Sequence, residues 1–182
     1  MTTTDLEQLV EGHDLEAKLA AGRDGRGELP ASFFETYSAF ANTDGGDVLL
    51  GVEEGPDGRW VVRGISEPGR VVRALWDGLN NPQRVNVNLL REKDVETLDV
   101  DGKAVVRVAV PRASRRHRPV YVGLNPLTGA FRRNNEGDYR CPEDVVRRML
   151  AEQVEDSRDS MRRNSCAPSA VTAPTGRPAL KG

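Results

Sequence analysis

Ala39-Phe40-Ala41-Asn42-Thr43-Asp44-Gly45-Gly46-Asp47-Val48-Leu49-Leu50-Gly51-Val52-Glu53-Glu54 carries three instructions in succession. Its first residues finish a helix, its paired glycines turn the chain, and its apolar run starts a buried strand that ends in carboxylates. Behind Pro30, residues Phe33, Phe34, Tyr37, Phe40 and Ala41 recur at three- and four-residue steps. That spacing predicts a helix to about Asn42 with an apolar face. Glycine tolerates the positive φ angles of C-caps and tight turns, so Gly45-Gly46 stops it. Val48 to Val52 offers solvent no polar side chain and reads as a strand buried on both faces.

Working outward, Thr4 with Glu7 predicts a short capped helix through Leu6, Leu9 and Val10, ended by Gly12. Leu15, Ala17 and Leu19 alternate with Glu16 and Lys18, the period of a strand. Gly22 to Gly27 is a polar loop with the wrong spacing for a phosphate-binding glycine loop, and no Gly-Lys-Ser/Thr occurs, which weighs against a P-loop ATPase. Downstream, Pro56-Asp57-Gly58 is a turn before a strand at Trp60-Val61-Val62. Glu67 to Asn80 predicts a second amphipathic helix through Val71, Val72, Leu75, Trp76 and Leu79. Strands are expected at Val85 to Leu90 and Val95 to Leu98. Asp101-Gly102 is a hairpin turn into a strand at Ala104 to Val110. Shorter strands are expected at Pro119 to Val122 and Ala130 to Arg132, and a last helix from Pro142 to Gln153. These elements predict one α/β domain, residues 1–157, with a single mixed sheet and flanking helices. Residues 158–182, rich in Ser, Pro, Ala and Arg without an aromatic, read as a disordered tail.

A chain of 182 residues, 37% hydrophobic and 30% charged, suits one soluble, charge-rich domain. No apolar run approaches the roughly 20 residues that span a bilayer. The N-terminus lacks the basic region and apolar core of a signal peptide. Cys141 and Cys166 fit no metal or disulfide pattern. A cytoplasmic protein without membrane contact is expected.

The net charge of −2 hides an asymmetry: from Arg158 onward five basic residues (Arg158, Arg162, Arg163, Arg177, Lys181) face one acid (Asp159), giving +4 against −6 for the preceding residues. Within that acidic body lies a dense set of arginines: Arg112, Arg115, Arg116, Arg118, Arg132, Arg133, Arg140, Arg147 and Arg148. The planar guanidinium fork suits phosphate, which points to a nucleic-acid surface. The same set is also what a GC-rich genome writes wherever it needs a cation.

The acids offer a second site. If the strand at Leu15 runs beside the strand at Val48, then Glu11, Glu16 and Glu54 share one cleft. Close carboxylates repel unless protonated or bound to a cation. Mg²⁺ or Mn²⁺ would suit them, and such a centre can activate water for phosphodiester cleavage. The plainer reading has Glu11 capping a turn, Glu16 paired with Lys18 or an arginine, and Glu53 and Glu54 as loop acids. His13 and His117 sit in separate segments, and neither suggests a general base. Cys141, at a helix start, is either a reactive thiol or a packed one.

Glu11-x4-Glu16-x-Lys18, then Ser38-Ala39-Phe40-Ala41-Asn42-Thr43-x-Gly45-Gly46, then Leu49-Leu50-Gly51-Val52 resemble the Schlafen AlbA-type DNA-binding domain family. Arg118-Pro119-Val120-Tyr121 and Phe131-Arg132-Arg133 look like that family's later strands, and the likeness extends from about Leu6 to Gln153. It implies an Alba-related α/β domain that binds DNA or RNA. In bacteria it is associated with transcriptional regulators or with larger ATP-binding proteins. In animal Schlafens two such lobes clamp RNA, and some cleave tRNA and rRNA with three carboxylates. Those acids correspond to Glu11, Glu16 and Glu54, although the third is usually aspartate, and the aromatic common between Glu and Lys is Ala17 here.

The first expectation is therefore a nucleic-acid-binding protein, a transcriptional regulator for instance, in which Arg112, Arg115, Arg116, Arg118, Arg132, Arg133 and Arg140 grip phosphates. Tyr121 and Phe131 would stack on bases if exposed. The alternative is a Mg²⁺- or Mn²⁺-dependent endoribonuclease using Glu11, Glu16 and Glu54, with Lys18 near the scissile phosphate. A third is a non-catalytic module of an ATP-binding regulator, the chain being a truncated or frame-shifted remnant of a longer protein. The choice of DNA or RNA and the formation of a homodimer stay open.

Overall fold

A computed structural model describes residues 14–56, 59–135 and 137–165, with side chains described up to residue 155. Strand β1 (Leu15–Lys18) is followed by helix α1 (Phe33–Asn42) and strand β2 (Gly46–Leu50), which lies parallel to β1 in the register Glu16 opposite Val48. This β–α–β unit is the anticipated side-by-side placement of the two strands. Strands β3 (Val52–Glu54) and β4 (Trp60–Val62) form a separate hairpin, and helix α2 (Pro68–Leu79) follows. Strands β5 (Val95–Val100) and β6 (Lys103–Val110) pair antiparallel, and β6 also pairs antiparallel with β2. The result is a four-stranded mixed sheet in the order β1-β2-β6-β5. After it come the one-turn helix α3 (Pro126–Gly129), the hairpin β7 (Phe131–Asn134) with β8 (Gly137–Arg140), and helix α4 (Glu143–Ser165).

The sheet is buried on both faces, as the Val48 to Val52 run predicts. Val48, Leu50, Val106 and Val108 pack with Phe33, Phe34, Tyr37 and Phe40 of α1 and with Val71, Leu75 and Leu79 of α2. Leu49 and Val105 face the other way, against Val52 and Val62 of the β3–β4 hairpin and beside Leu15 and Ala17. Helix α1 is enclosed almost all round: of its residues only Glu35 lies outside the buried set.

Four elements depart from expectation. The strand from Val48 breaks at Gly51, whose φ of +92° turns β3 out of the main sheet. A Cβ there would fall 2.9 Å from Ile65, so the position is also tightly packed. Val85 to Leu90 forms no strand: an isolated bridge at Val85 is followed by a bend at Asn86. The Tyr37 hydroxyl donates to Val87 O (3.1 Å) and accepts from Leu89 N (2.8 Å), and Asn88 Oδ1 accepts from Leu90 N, so side chains satisfy a backbone that a ladder would otherwise pair. Pro119 to Val122 contributes only isolated bridges, Val122 to Val85 and Tyr121 to Ala130. Helix α4 runs on to Ser165, beyond Gln153 and into the segment expected to be a tail. The short helix expected before Gly12 lies outside the described residues, as does the rest of the tail from residue 166. No described helix is long and apolar enough to cross a membrane.

Candidate nucleic-acid interface

Ser38 and Asn42 lie four residues apart and therefore on one face of α1. Both are buried, so their polar atoms need partners. The Asn42 amide accepts from Val120 N (2.8 Å) and donates to Val120 O (2.8 Å), pairing with that residue as a neighbouring strand would. It also donates to Phe131 O (2.8 Å). Ser38 Oγ donates to Val120 O (2.7 Å) and accepts from Phe131 N (3.0 Å). Thr43 Oγ1 accepts from Arg133 N (3.0 Å), and Ala41 O accepts from Ala113 N (2.8 Å). The Ser-Ala-Phe-Ala-Asn-Thr signature thus clips two distant segments, 113–120 and 131–133, to one helix end. These are the segments that carry the arginines.

Arg115 and Arg116 stand exposed on the first segment with Arg112 just before it, Arg132 on the second, and Arg140 on β8, the strand paired with it. Arg112 pairs with Asp44 at 3.1 Å, both largely in solvent. Among the described residues Arg115, Arg132 and Arg140 have no acidic partner. Arg118 is half-buried beside the cis peptide bond to Pro119, in a loop steadied where Gln153 Nε2 donates to Arg116 O (2.6 Å). The remaining candidates turn inward. Phe131 is 7% exposed and cannot offer a ring to a base, and Tyr121 is half-buried against the small core around Ala130, Cys141 and Val146. Burial also pushes the Cys141 thiol above its ordinary pKa, which favours the packed reading of that residue.

Arg133 belongs to the interior. Its side chain is 7% exposed, and Nη1 donates to Glu16 Oε2 (2.8 Å) and Asp138 Oδ1 (3.0 Å). Nη2 reaches Leu15 O at 3.3 Å, and the Phe40 ring centre lies 5.2 Å from the guanidinium carbon. Burial works against the charge, but hydrogen bonds to Asp138 and Glu16 outweigh it and hold the pKa above the ordinary value. Thr36 Oγ1 donates to the other oxygen of Asp138 (2.5 Å), completing the cluster.

This cluster decides how Glu16 can act. One carboxylate oxygen holds Arg133 and the other holds Lys18 Nζ at 3.2 Å, the pairing that the plainer reading of Glu16 foresees. A metal ion at Glu16 would have to displace two cations. Glu54 is exposed at the end of β3, beside Glu53, which is tied to Arg63 Nε at 2.7 Å. Glu11 lies outside the described residues. Among those described, no three His, Cys, Asp or Glu side chains gather as metal ligands.

One exposed aromatic escapes a reading of the sequence alone. Tyr139 is 57% exposed on β8, directly across the hairpin from Arg132. Gly137-Asp-Tyr-Arg has a single apolar residue and so no alternation to announce a strand. Only the turn residues between Arg133 and Gly137 hint at a hairpin.

Residues 11–142 match the family described as Schlafen, AlbA_2. Among solved structures, the N-terminal domain of a protein from Nitrosomonas europaea, related by name to the ATP-dependent DNA helicase RecG, is 33% identical, with a TM-score of 0.53. That match covers 78% of this chain and 94% of the domain. The DIP2311 protein from Corynebacterium diphtheriae is 20% identical over 71% of this chain and 22% of its own, with a TM-score of 0.47, too loose a likeness to carry an inference. No curated protein matches the sequence significantly. With its signature clipping both basic segments to α1, and with the family match spanning most of its length, the chain belongs to the Schlafen AlbA_2 family.

Proposed function

We propose that this protein is a nucleic-acid-binding module whose contact surface is the pair of arginine-bearing segments around residues 112–118 and 131–140. One observation carries the reading. Arg115, Arg132 and Arg140, which have no acidic partner among the described residues, sit on stretches far apart in sequence, and the buried side chains of Ser38 and Asn42 hold those stretches together. In a body with net negative charge, phosphate binding needs such local segregation of positive charge. The relative from Nitrosomonas europaea, named for a DNA helicase, agrees with this class of ligand. Regulation of transcription is one use of such a module.

The test is binding of labelled DNA and RNA oligonucleotides to the full chain across a salt series. Contacts with about three phosphates give a slope of log K against log salt near −3, and Arg115→Ala or Arg140→Ala lowers it by about 1 each. Weak binding that salt does not alter would overturn the reading. The alternative, a Mg²⁺- or Mn²⁺-dependent endoribonuclease, is tested in the same preparation by incubation with tRNA and Mn²⁺. Because Glu16 anchors Arg133, Glu54→Gln is the cleaner variant. Cleavage by the parent that Glu54→Gln abolishes would move the assignment to the enzyme.

A further inference from the structure

The β7–β8 hairpin presents two faces of opposite character. Phe131, Arg133 and Asp138 point inward, while Arg132 and Tyr139 form a cross-strand pair on the outer face. Opposed residues in such a pair have Cβ atoms about 5 Å apart, within reach of one nucleotide. Tyr139 does not stand upright. A Cβ built at Gly137, two residues earlier on the same strand, would lie 2.6 Å from Tyr139 Cε2 and 2.9 Å from both Cζ and Oη. The distal edge of the ring thus crosses the space that a side chain at 137 would fill. The ring reclines along the strand over a glycine and leaves more than half of the residue in solvent.

We infer that Tyr139 is a stacking platform for an unpaired base, with Arg132 taking the adjoining phosphate, so that the ligand is single-stranded DNA or RNA and not duplex. This rests on the nucleic-acid reading above and narrows it. A reclining ring offers a π face, and a base can use that face only where it is not already stacked within a helix. Arg132 has no acidic partner among the described residues, so its charge is available beside the ring. Glycine at 137 is what permits the posture, since any larger residue there pushes the ring off the strand. Stacking on an aromatic tolerates every base, so little sequence preference is expected from this element.

The experiment uses the full chain and three fluorescein-labelled probes of equal length: oligothymidylate, oligouridylate and a blunt DNA duplex, all at low salt. Tyr139→Ala is expected to weaken single-strand binding about 5- to 100-fold, to leave duplex binding within about twofold, and to leave the melting temperature unchanged because the ring is exposed. Tyr139→Phe retains the parental affinity. Gly137→Ala, which keeps the tyrosine but displaces it, weakens single-strand binding in the same direction. If Arg115→Ala and Arg140→Ala weaken binding while Tyr139→Ala does not, the platform is wrong and the phosphate-binding surface stands. If the parent binds duplex and single strands equally, the single-strand assignment is overturned. If it binds none of the probes, both readings are overturned. The two single-stranded probes then tell DNA from RNA.

Discussion

On the inner face of the β7–β8 hairpin Arg133 is 7% exposed and held by two carboxylates, whereas on the outer face its neighbour Arg132 stands in solvent opposite Tyr139. The same residue type in adjacent positions meets opposite surroundings because successive side chains of a strand leave opposite faces. The inner arginine fastens the hairpin to β1 through Glu16, and the outer one has no acidic partner among the described residues. A basic dipeptide therefore says little about ligand binding until the face of each member is known.

The contrast can be broken at its inner side first. Arg133→Met leaves Asp138 without its cation and Glu16 with Lys18 alone, and a loss of about 3–5 kcal/mol in urea-denaturation stability is expected. A loss under about 1 kcal/mol would show that the cluster is incidental. Asn42→Ala comes next. It leaves Val120 N without an acceptor and Phe131 O without the amide donor, for an expected loss of about 2–4 kcal/mol by the same measurement.

Tyr37→Phe should cost about 1–2 kcal/mol, since Leu89 N–H loses its acceptor. It also tests a pH dependence. Burial pushes the Tyr37 phenol up to about 12, above the ordinary value near 10. The neutral form is favoured in the folded state, so its contribution is whole below about pH 10 and is lost as pH rises through about 12. Alkaline denaturation followed by circular dichroism should lose that component in Tyr37→Phe. At the outer side, Arg132→Ala should alter stability by less than about 0.5 kcal/mol. In oligonucleotide titrations it should lower the salt slope by about 1. Equal stability losses at Arg132 and Arg133 would erase the distinction between the two faces.

Most of the framework was legible in the sequence because it depends on local pattern. The alternation at Leu15 to Leu19, the apolar spacing of α1 and the glycine pair at 45 and 46 gave β1, α1 and the turn into β2. The misjudged parts depend on contacts that no local window contains. Val85 to Leu90 has a strand-like composition, yet its backbone is claimed by Tyr37, some 50 residues earlier. Gly51 reads as one more residue of a strand until Ile65 and the positive φ show why the chain turns there. In the candidate site, the arginine-rich segments were visible, but the burial of Arg133 follows from Glu16, 117 residues away, and from Asp138. Tyr139 was missed because exposure, unlike burial, leaves no periodic trace in so short a strand.

Ser38 and Asn42 grip the main-chain atoms of Val120 and Phe131, not their side chains. The attachment is therefore indifferent to which residues face outward from the two segments it secures. Positions such as 115, 132 and 139 can be exchanged without loosening the mount, much as a tool head is changed on a fixed handle. Substitutions at those outward positions should therefore leave the melting temperature close to that of the parent.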